Sequence, residues 1–325
     1  MSLWRFQTYR RVGLLGINRR NAEYILGHNP RRLFPLVDDK LATKALCRDH
    51  GIRTPDLYGT ISAHHEIRDL EKMLAPHDSF VMKPASGAMG NGVLMVLKRR
   101  GDSFIRGSGA QLGIRDLRYH ASSILSGLYS LGGRVDRALI EARVRVHEVF
   151  NDLGEGVPDC RVIVFRGVPV MSMLRLPTQM SDGRANLHQG AIAAGVDITT
   201  GTTHHAVHLD RVVSKHPDTG KAVRGIQLPH WDEILRISAM SADMTGLGYL
   251  GVDVVIDADE GPMLLELNAR PGLSIQIANG GGLTPLLERI EKLDISGSTP
   301  KERIAMARSV FAAHRKAALG EDRAT

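Results

Sequence analysis

Residues 251–272 read GVDVVIDADEGPMLLELNARPG, and the way this stretch folds constrains the rest of the chain. Two short apolar runs, Val252 to Ile256 and Met263 to Leu267, flank the turn-forming Asp257-Ala258-Asp259-Glu260-Gly261, the pattern of a β-hairpin. Pro262 has no N–H and suits the first residue of the returning strand. Alternation puts Val252, Val254 and Ile256 on one face and Asp253 and Val255 on the other. In the returning strand it groups Met263, Leu265 and Leu267, with Glu266 and Asn268 opposite them. A turn centred near Asp259–Glu260 then sets Asp253 across from Glu266. Like charges so placed destabilise a sheet. A hard cation between them removes the repulsion, and Asp, Glu and Asn oxygens are the ligands Mg²⁺ prefers. The same residues would also serve as an acidic ribbon facing solvent, and the two readings part on what else the chain carries.

A chain of 325 residues can bury a sizeable core and hold two or three lobes. Cys47 and Cys160 are its only cysteines, far apart and without metal-ligand neighbours, which argues for a reducing compartment and against a disulfide or zinc framework. No apolar run reaches membrane-spanning length and the start lacks a signal peptide's apolar core, so the sequence reads as cytoplasmic. The net charge of +7 fits acidic small substrates as well as nucleic acid. Aromatic residues make up 5% and are not interleaved with the basic ones, so no nucleic-acid partner is expected.

Met1 to Val37 is strongly basic, with Arg5, Arg10, Arg11, Arg19, Arg20, Arg31 and Arg32 against the single acid Glu23. It reads as a solvated segment packed on the body or as an anion-binding arm, with a short helix within Leu14 to Ile25. Asp38 to Gly51 predicts a helix entered by Asp38-Asp39 and closed by Gly51 and Pro55. Lys40 and Lys44, one turn apart on it, read by themselves as surface lysines. Ser79 to Pro84 is a strand with Lys83 at its end. Ala85 to Gly92 follows, with Ser86, Gly87, Gly90 and Gly92 allowing a backbone to approach phosphate oxygens, and then the strand Val93 to Leu97. A Rossmann or P-loop glycine run leads into a helix; this one leads into a strand, so it is a glycine-tipped hairpin.

The formal G-x-G-x-x-G at Gly246–Gly251 follows a helix and precedes a strand, and reads as a helix stop. Ala138 to Val144 predicts a strand carrying Glu141. Asp159-Cys160-Arg161 opens another, returning from Val168 through the Arg166-Gly167 turn to Arg175. Arg184 and Asn186 lie in a glycine-flanked loop. His204, His205 and His208 have no Cys or acid at ligand spacing and read as a strand-and-turn surface rather than a zinc site. Thr284-Pro285 predicts a capped helix start. Lys301 to Leu319 predicts an amphipathic helix and Gly320 to Thr325 a disordered tail.

The motifs LVDDKLATK, FVMKPASGAMGNGV, LIEARV, DCRVIV, GRANLHQG and GVDVV…LLELNARPG, in this order, resemble the ATP-grasp superfamily, in its alpha-L-glutamate ligase-like (RimK-type) branch. The resemblance implies an α+β ATP-grasp fold, with two α+β lobes clasping Mg-ATP and the glycine hairpin as a lid over the phosphates. It implies ATP and Mg²⁺, or Mn²⁺, as cofactors. Lys83 would contact phosphate and the adenine side, with Lys40 reaching a phosphate; Glu141 and Ala142 would form the hinge that meets adenine. Asp159, Arg184 and Asn186 match positions near the nucleotide, and Asp253, Glu266 and Asn268 match the magnesium ligands. Arg161, Arg175 and Arg270 would stabilise an acyl-phosphate and the tetrahedral species that follows.

The implied activity is a carboxylate–amine ligation, with a carboxylate acceptor and an amine donor such as an amino acid or peptide as partners. A non-ligating Mg-ATP phosphotransferase or a nucleotide-gated regulator remains the alternative. The implied division is a basic segment over 1–37, a catalytic body over 38–295 with the lid hairpin near 79–97 and the hinge near 138–144, and a terminal helix over 296–325. Relatives carry a full α/β domain where this chain has 37 residues, so a homo-oligomer or protein partner is expected to complete the acceptor site. A chain starting at Leu36 is then expected to keep ATP binding and lose acceptor-dependent turnover.

Overall fold

The period-two alternation of the apolar runs becomes two antiparallel sheets, one in each of two units. The structure, a computed structural model, describes residues 12–87, 90–107, 109–130 and 132–321. The smaller unit comprises Asp39–Lys44 and Thr54–Arg145; the larger takes the described parts of residues 1–38, 45–53 and 146–325.

The smaller unit is built on β1 (Leu57–Ile61), β2 (Phe80–Pro84), β3 (Leu94–Arg100), β4 (Ser103–Arg106), β5 (Gln111–Leu112) and β6 (Ala138–Glu141), in the order β1-β6-β2-β3-β4-β5. Phe80, Met82, Leu94, Val96, Ala138 and Ile140 face one way and pack with Leu117, Ala121 and Ile124 of the Ile114–Leu125 helix. That helix starts cleanly because the Asp116 carboxylate accepts from the Gly113 N–H at 2.8 Å. By alternation the opposite face receives Val81, Lys83, Leu139 and Glu141, all buried.

The larger unit carries β7 (Asp159–Phe165), β8 (Val168–Leu176), β9 (Ile192–Val196), β10 (Thr203–His208), β11 (Arg211–Val212), β12 (Tyr249–Asp257) and β13 (Gly261–Asn268), in the order β11-β10-β9-β8-β7-β12-β13. The Trp231–Thr245 helix buries Ile234, Leu235, Ile237 and Met244, and Gly246 stops it at a φ of +68°. The final helix runs Pro300–Glu321, so Gly320 and Glu321 are helical where the sequence suggests a tail; residues 322–325 lie outside the described residues. Its Ile304, Ala307 and Phe311 are buried as the spacing predicts.

Two local expectations are corrected. The hairpin pairs Asp253 with Glu266, but Val254 then pairs with Leu264, so Leu265 is an extra residue bulged out of the ladder. The bulge reverses the alternation beyond it. Leu264 and Leu267 reach the core with Val252, Val254 and Ile256, whereas Met263 and Leu265 do not join that cluster. At the Thr284–Glu291 helix the cap position falls to Leu283, and the Thr284 hydroxyl is buried without a hydrogen-bond partner among the described residues. The carboxamide of Gln276 ties that corner instead, accepting from the N–H groups of Leu15 at 2.7 Å and Leu283 at 2.9 Å.

The described part of the basic N-terminal segment, residues 12–37, contributes to the core. Its helix runs from Ile17 to His28, with a π-helical stretch over Arg20–Ile25. Leu15, Tyr24, Ile25 and Val37 are buried among the larger unit's core residues. The Tyr24 ring meets Phe165 edge-on at 5.3 Å, and His28 meets it at 4.8 Å. Arg5, Arg10 and Arg11 lie outside the described residues.

Candidate active site

Strand register assembles the acidic and basic residues of the larger unit. Across β13, β12, β7 and β8, direct partners run Glu266, Asp253, Arg161 and Met173. Asp159 and Arg175 pair one row along, on the same face because they lie two residues from Arg161 and Met173. Asn268 pairs with Gly251 on the row beyond. Gly251 is required there: a Cβ would lie 2.7 Å from the ring of Pro271, which closes over that point. The far end of this face, at Phe165 and Tyr249, is covered by Tyr24.

Asp253 is the hub. Arg161 forks onto it, Nε donating to Oδ1 at 2.6 Å and Nη2 to Oδ2. Nη2 of Arg175 lies 2.9 Å from Oδ2, and the same guanidinium forks onto Asp159. Burial by itself would raise the Asp253 pKa, but the two arginines outweigh it and hold the group below the usual carboxylate range. Asp159 goes the other way, pushed up to about 6 by burial, which Arg175 only partly offsets and the neighbouring Asp253 reinforces. Two carboxylates on one face are thus kept at different proton affinities by how many guanidiniums each holds.

Among the described residues no group of three or more His, Cys, Asp or Glu is placed to hold a metal ion. The set Asp253, Glu266 and Asn268 still fits Mg²⁺, which binds through one or two carboxylates and completes its shell with water and phosphate oxygens. Among the described residues Oδ1 of Asp253 accepts from Arg161 alone, which leaves a second lone pair for a metal. Asn268 shares the face and turns its amide toward Asp253, with Nδ2 3.5 Å from Oδ2.

In the smaller unit, β2 and β3 form the expected hairpin stem, and residues 88 and 89 of its tip lie outside the described residues. Its base is tied down. The Ser86 N–H donates to the Asp136 carboxylate, and Lys40 Nζ donates to the Gly87 carbonyl at 2.8 Å. Gly90 and Gly92 both have positive φ, and a Cβ on Gly92 would lie 2.5 Å from the Tyr129 ring. Gly92→Ala is therefore expected to cost about 1–2 kcal/mol of stability. Chemical denaturation measures it, and an unchanged midpoint would show that the loop shifts freely.

Lys83 and Glu141 are buried and joined by a short ion pair. Lys44 is not the surface lysine its spacing suggests: its side chain is 13% exposed and its Nζ lies 2.9 Å from Glu141 Oε2. Burial alone would raise the Glu141 pKa, yet Lys83 and Lys44 together hold it below its ordinary value. The Ala142 N–H donates to the Asp56 carbonyl at 2.8 Å.

Three predicted residues stand apart from the Asp253 cluster in their contacts. Arg184 is within 3.7 Å of Asp182, and Asn186 caps the turn that follows it by accepting from the His188 N–H. Arg270 lies 3.3 Å from Asp38 and over the Phe34 ring. The three histidines of the Thr203–His208 strand contact Asn279 and the carbonyls of Ala278 and Gly190.

A glycine-tipped hairpin with a buried lysine, and a second antiparallel sheet displaying Asp, Glu, Asn and Arg on one face, define a protein of the ATP-grasp class. Residues 19–292 match the family described as sugar-transfer associated ATP-grasp, and the chain belongs to it. Proteins of the ATP-grasp family use ATP and Mg²⁺. A probable alpha-L-glutamate ligase of Parasynechococcus marenigrum is 28% identical over 258 residues, covering 78% of this chain and 41% of that protein. Another, of Hahella chejuensis, is 24% identical over 252 residues, covering 77% and 61%. The chain thus spans less than two thirds of the length of these curated relatives. Among solved structures, the ATP-grasp ligase PsnB with a minimal precursor superposes with a TM-score of 0.45 at 17% identity, covering 81% of this chain and 63% of that one. The D-alanine–D-alanine ligase of Bacillus anthracis gives 0.42 at 15%, covering 87% and 71%. Among the described residues no helix is long and apolar enough to cross a membrane.

Proposed function

We propose that the chain is an ATP-dependent carboxylate–amine ligase that works through an acyl-phosphate. The observation that carries this reading is the single face on which Asp253 stands directly opposite Glu266, beside Asn268, with Arg161 and Arg175 attached. A substrate carboxylate attacks the γ-phosphorus of ATP and ADP departs; an amine then displaces phosphate to give the amide. Asp253, Glu266 and Asn268 would hold Mg²⁺, which when bound neutralises charge on the phosphate oxygens.

The chain's own side chains do the rest. Lys83 presents a fixed ammonium to the nucleotide phosphates, and Lys40 pins the glycine hairpin at Gly87. Arg161 and Arg175 are held in place by Asp253 and Asp159 before any substrate arrives. Positive charge that needs no reorganisation is the arrangement that stabilises developing oxyanions most effectively. Asp159, Arg184, Asn186, Glu141 and Ala142 belong to the proposed nucleotide surroundings, and Arg270 is proposed with Arg161 and Arg175 to stabilise the acyl-phosphate and the tetrahedral species. Glutamate or another amino acid is the proposed amine donor.

The test is ADP and phosphate release from Mg-ATP against pooled amino acids and small carboxylates, with mass spectrometry of the products. Release that needs both a carboxylate and an amine, with a new amide mass, is the expected result. Phosphate transfer to a single substrate without an amine would replace this reading with a phosphotransferase.

A further inference from the structure

We propose that Lys44 is a positioning residue for nucleotide phosphate: it shares the charge of Glu141 and so leaves Lys83 able to attract an anion. This rests on the nucleotide-binding reading above and adds a residue to it. The side chains of Lys83 and Glu141 are 7% and 3% exposed, and the two are joined by a short ion pair. Taken by themselves they make a neutral pair, and away from water that neutralisation is felt strongly, because little solvent screens it. A neutral pair has small attraction for a triphosphate.

Lys44 changes the sum. It reaches the second carboxylate oxygen of Glu141 at 2.9 Å, so the three groups themselves carry a charge of +1 around one buried carboxylate. One lysine is enough to satisfy a buried glutamate. A second costs desolvation, which a purely structural pair would not require. The cost is offset when an anion binds, which is the condition the proposed reaction provides.

Lys44 is also anchored. Its Nζ donates to the Pro55 carbonyl and lies 3.4 Å from the Thr54 hydroxyl. The adjacent Asp56 carbonyl accepts from the Ala142 N–H, immediately after Glu141. The short segment that fixes Lys44 therefore also fixes the end of the strand carrying Glu141. Lys40, one turn earlier, is directed to Gly87 instead, so the two lysines on this helix have different duties.

The experiment measures binding rather than turnover, on the full chain with Mg²⁺, by calorimetric titration with a non-hydrolysable ATP analogue and, separately, with adenosine. Lys44→Met is expected to weaken the analogue about tenfold and leave adenosine unchanged. Adding Glu141→Gln to that variant removes the neutralising charge from Lys83. Because Glu141 also belongs to the proposed adenine surroundings, the quantity read is the ratio of analogue to adenosine affinity, which should return to within about threefold of wild type. Lys44→Arg should bind like wild type. A residue that only supports packing would be made worse, not better, by the second substitution. Wild-type affinity in Lys44→Met, or no recovery in the double variant, overturns the proposal. Should Lys44→Met not fold, as judged by its melting, the double variant decides by the same recovery criterion. A wild-type chain that binds no nucleotide would instead overturn the reading beneath it.

Discussion

A chain beginning at Leu36 is expected to fail to fold, not merely to lose acceptor-dependent turnover. The basic composition of the first 37 residues suggests a removable arm, but the structure places Leu15, Tyr24 and Ile25 inside the core at 2%, 0% and 6% exposure. Burying each side chain contributes roughly 2–3 kcal/mol, so their loss together approaches the ~5–15 kcal/mol that hold a typical domain folded. Hydrogen bonding adds to this. The Asn29 carboxamide donates to the carbonyls of Tyr249 at 2.7 Å and Ala269 at 2.9 Å and accepts from the Tyr249 N–H at 2.8 Å. It is a clip on the strand that carries Asp253. Asn29→Ala should therefore lower stability by about 2–4 kcal/mol, since it leaves buried backbone groups unpaired. Circular dichroism and a denaturation midpoint on the truncated and substituted chains check both statements. A truncated chain with native spectrum and cooperative melting would return the segment to the status of an arm.

Asp253→Ala and Glu266→Gln are expected to differ sharply in stability while both abolish ligation. Asp253 is the common acceptor of Arg161 and Arg175, whose side chains are only 15% and 12% exposed. Removing it leaves buried guanidinium charge uncompensated, a change of roughly 3–5 kcal/mol. Glu266 is half-buried at the edge strand, and its conversion to Gln keeps the shape, so its effect on folding should stay within about 1 kcal/mol. Urea denaturation of the two variants beside ADP release separates structure from chemistry. Equal destabilisation of both would mean that the acid pair, and not the arginine hub, holds this face together. Near-normal ADP release by Glu266→Gln would remove it from the proposed metal set.

The hairpin was legible because Asp-Ala-Asp-Glu-Gly is strong turn chemistry and its flanks alternate; counting back from the turn, in which Asp257 pairs with Gly261, would set Asp253 against Leu265, and the expected pairing with Glu266 holds because the bulge adds one residue. The bulge at Leu265 was not, because nothing in a run of leucines marks where a ladder admits an extra residue. Arg161 and Arg175 could be named as cations of the site from the motifs around them. That each already grips a carboxylate needs the register of β7 against β12 and β8. Lys44 was missed for a general reason: a lysine one helical turn from another looks solvated, and only a buried glutamate from a distant strand makes it interior. Charge composition likewise hid the core role of the N-terminal segment, since its few apolar residues fall among arginines.

The bulge at Leu265 acts as a phase break in β13. On its turn side, Pro262 to Leu264 answer to the core with one parity; on its other side, Glu266 to Asn268 answer to the charged face with the opposite parity. Substitutions that repack the first half therefore leave the second half in step with Asp253. Deleting Leu265 would leave a regular ladder in which Glu266 still stands opposite Asp253, so the bulge can absorb a one-residue loss without moving the acid pair. For anyone redesigning this strand, one residue can be lost at the bulge, whereas a residue lost between Glu266 and Asn268 would turn Asn268 off the charged face.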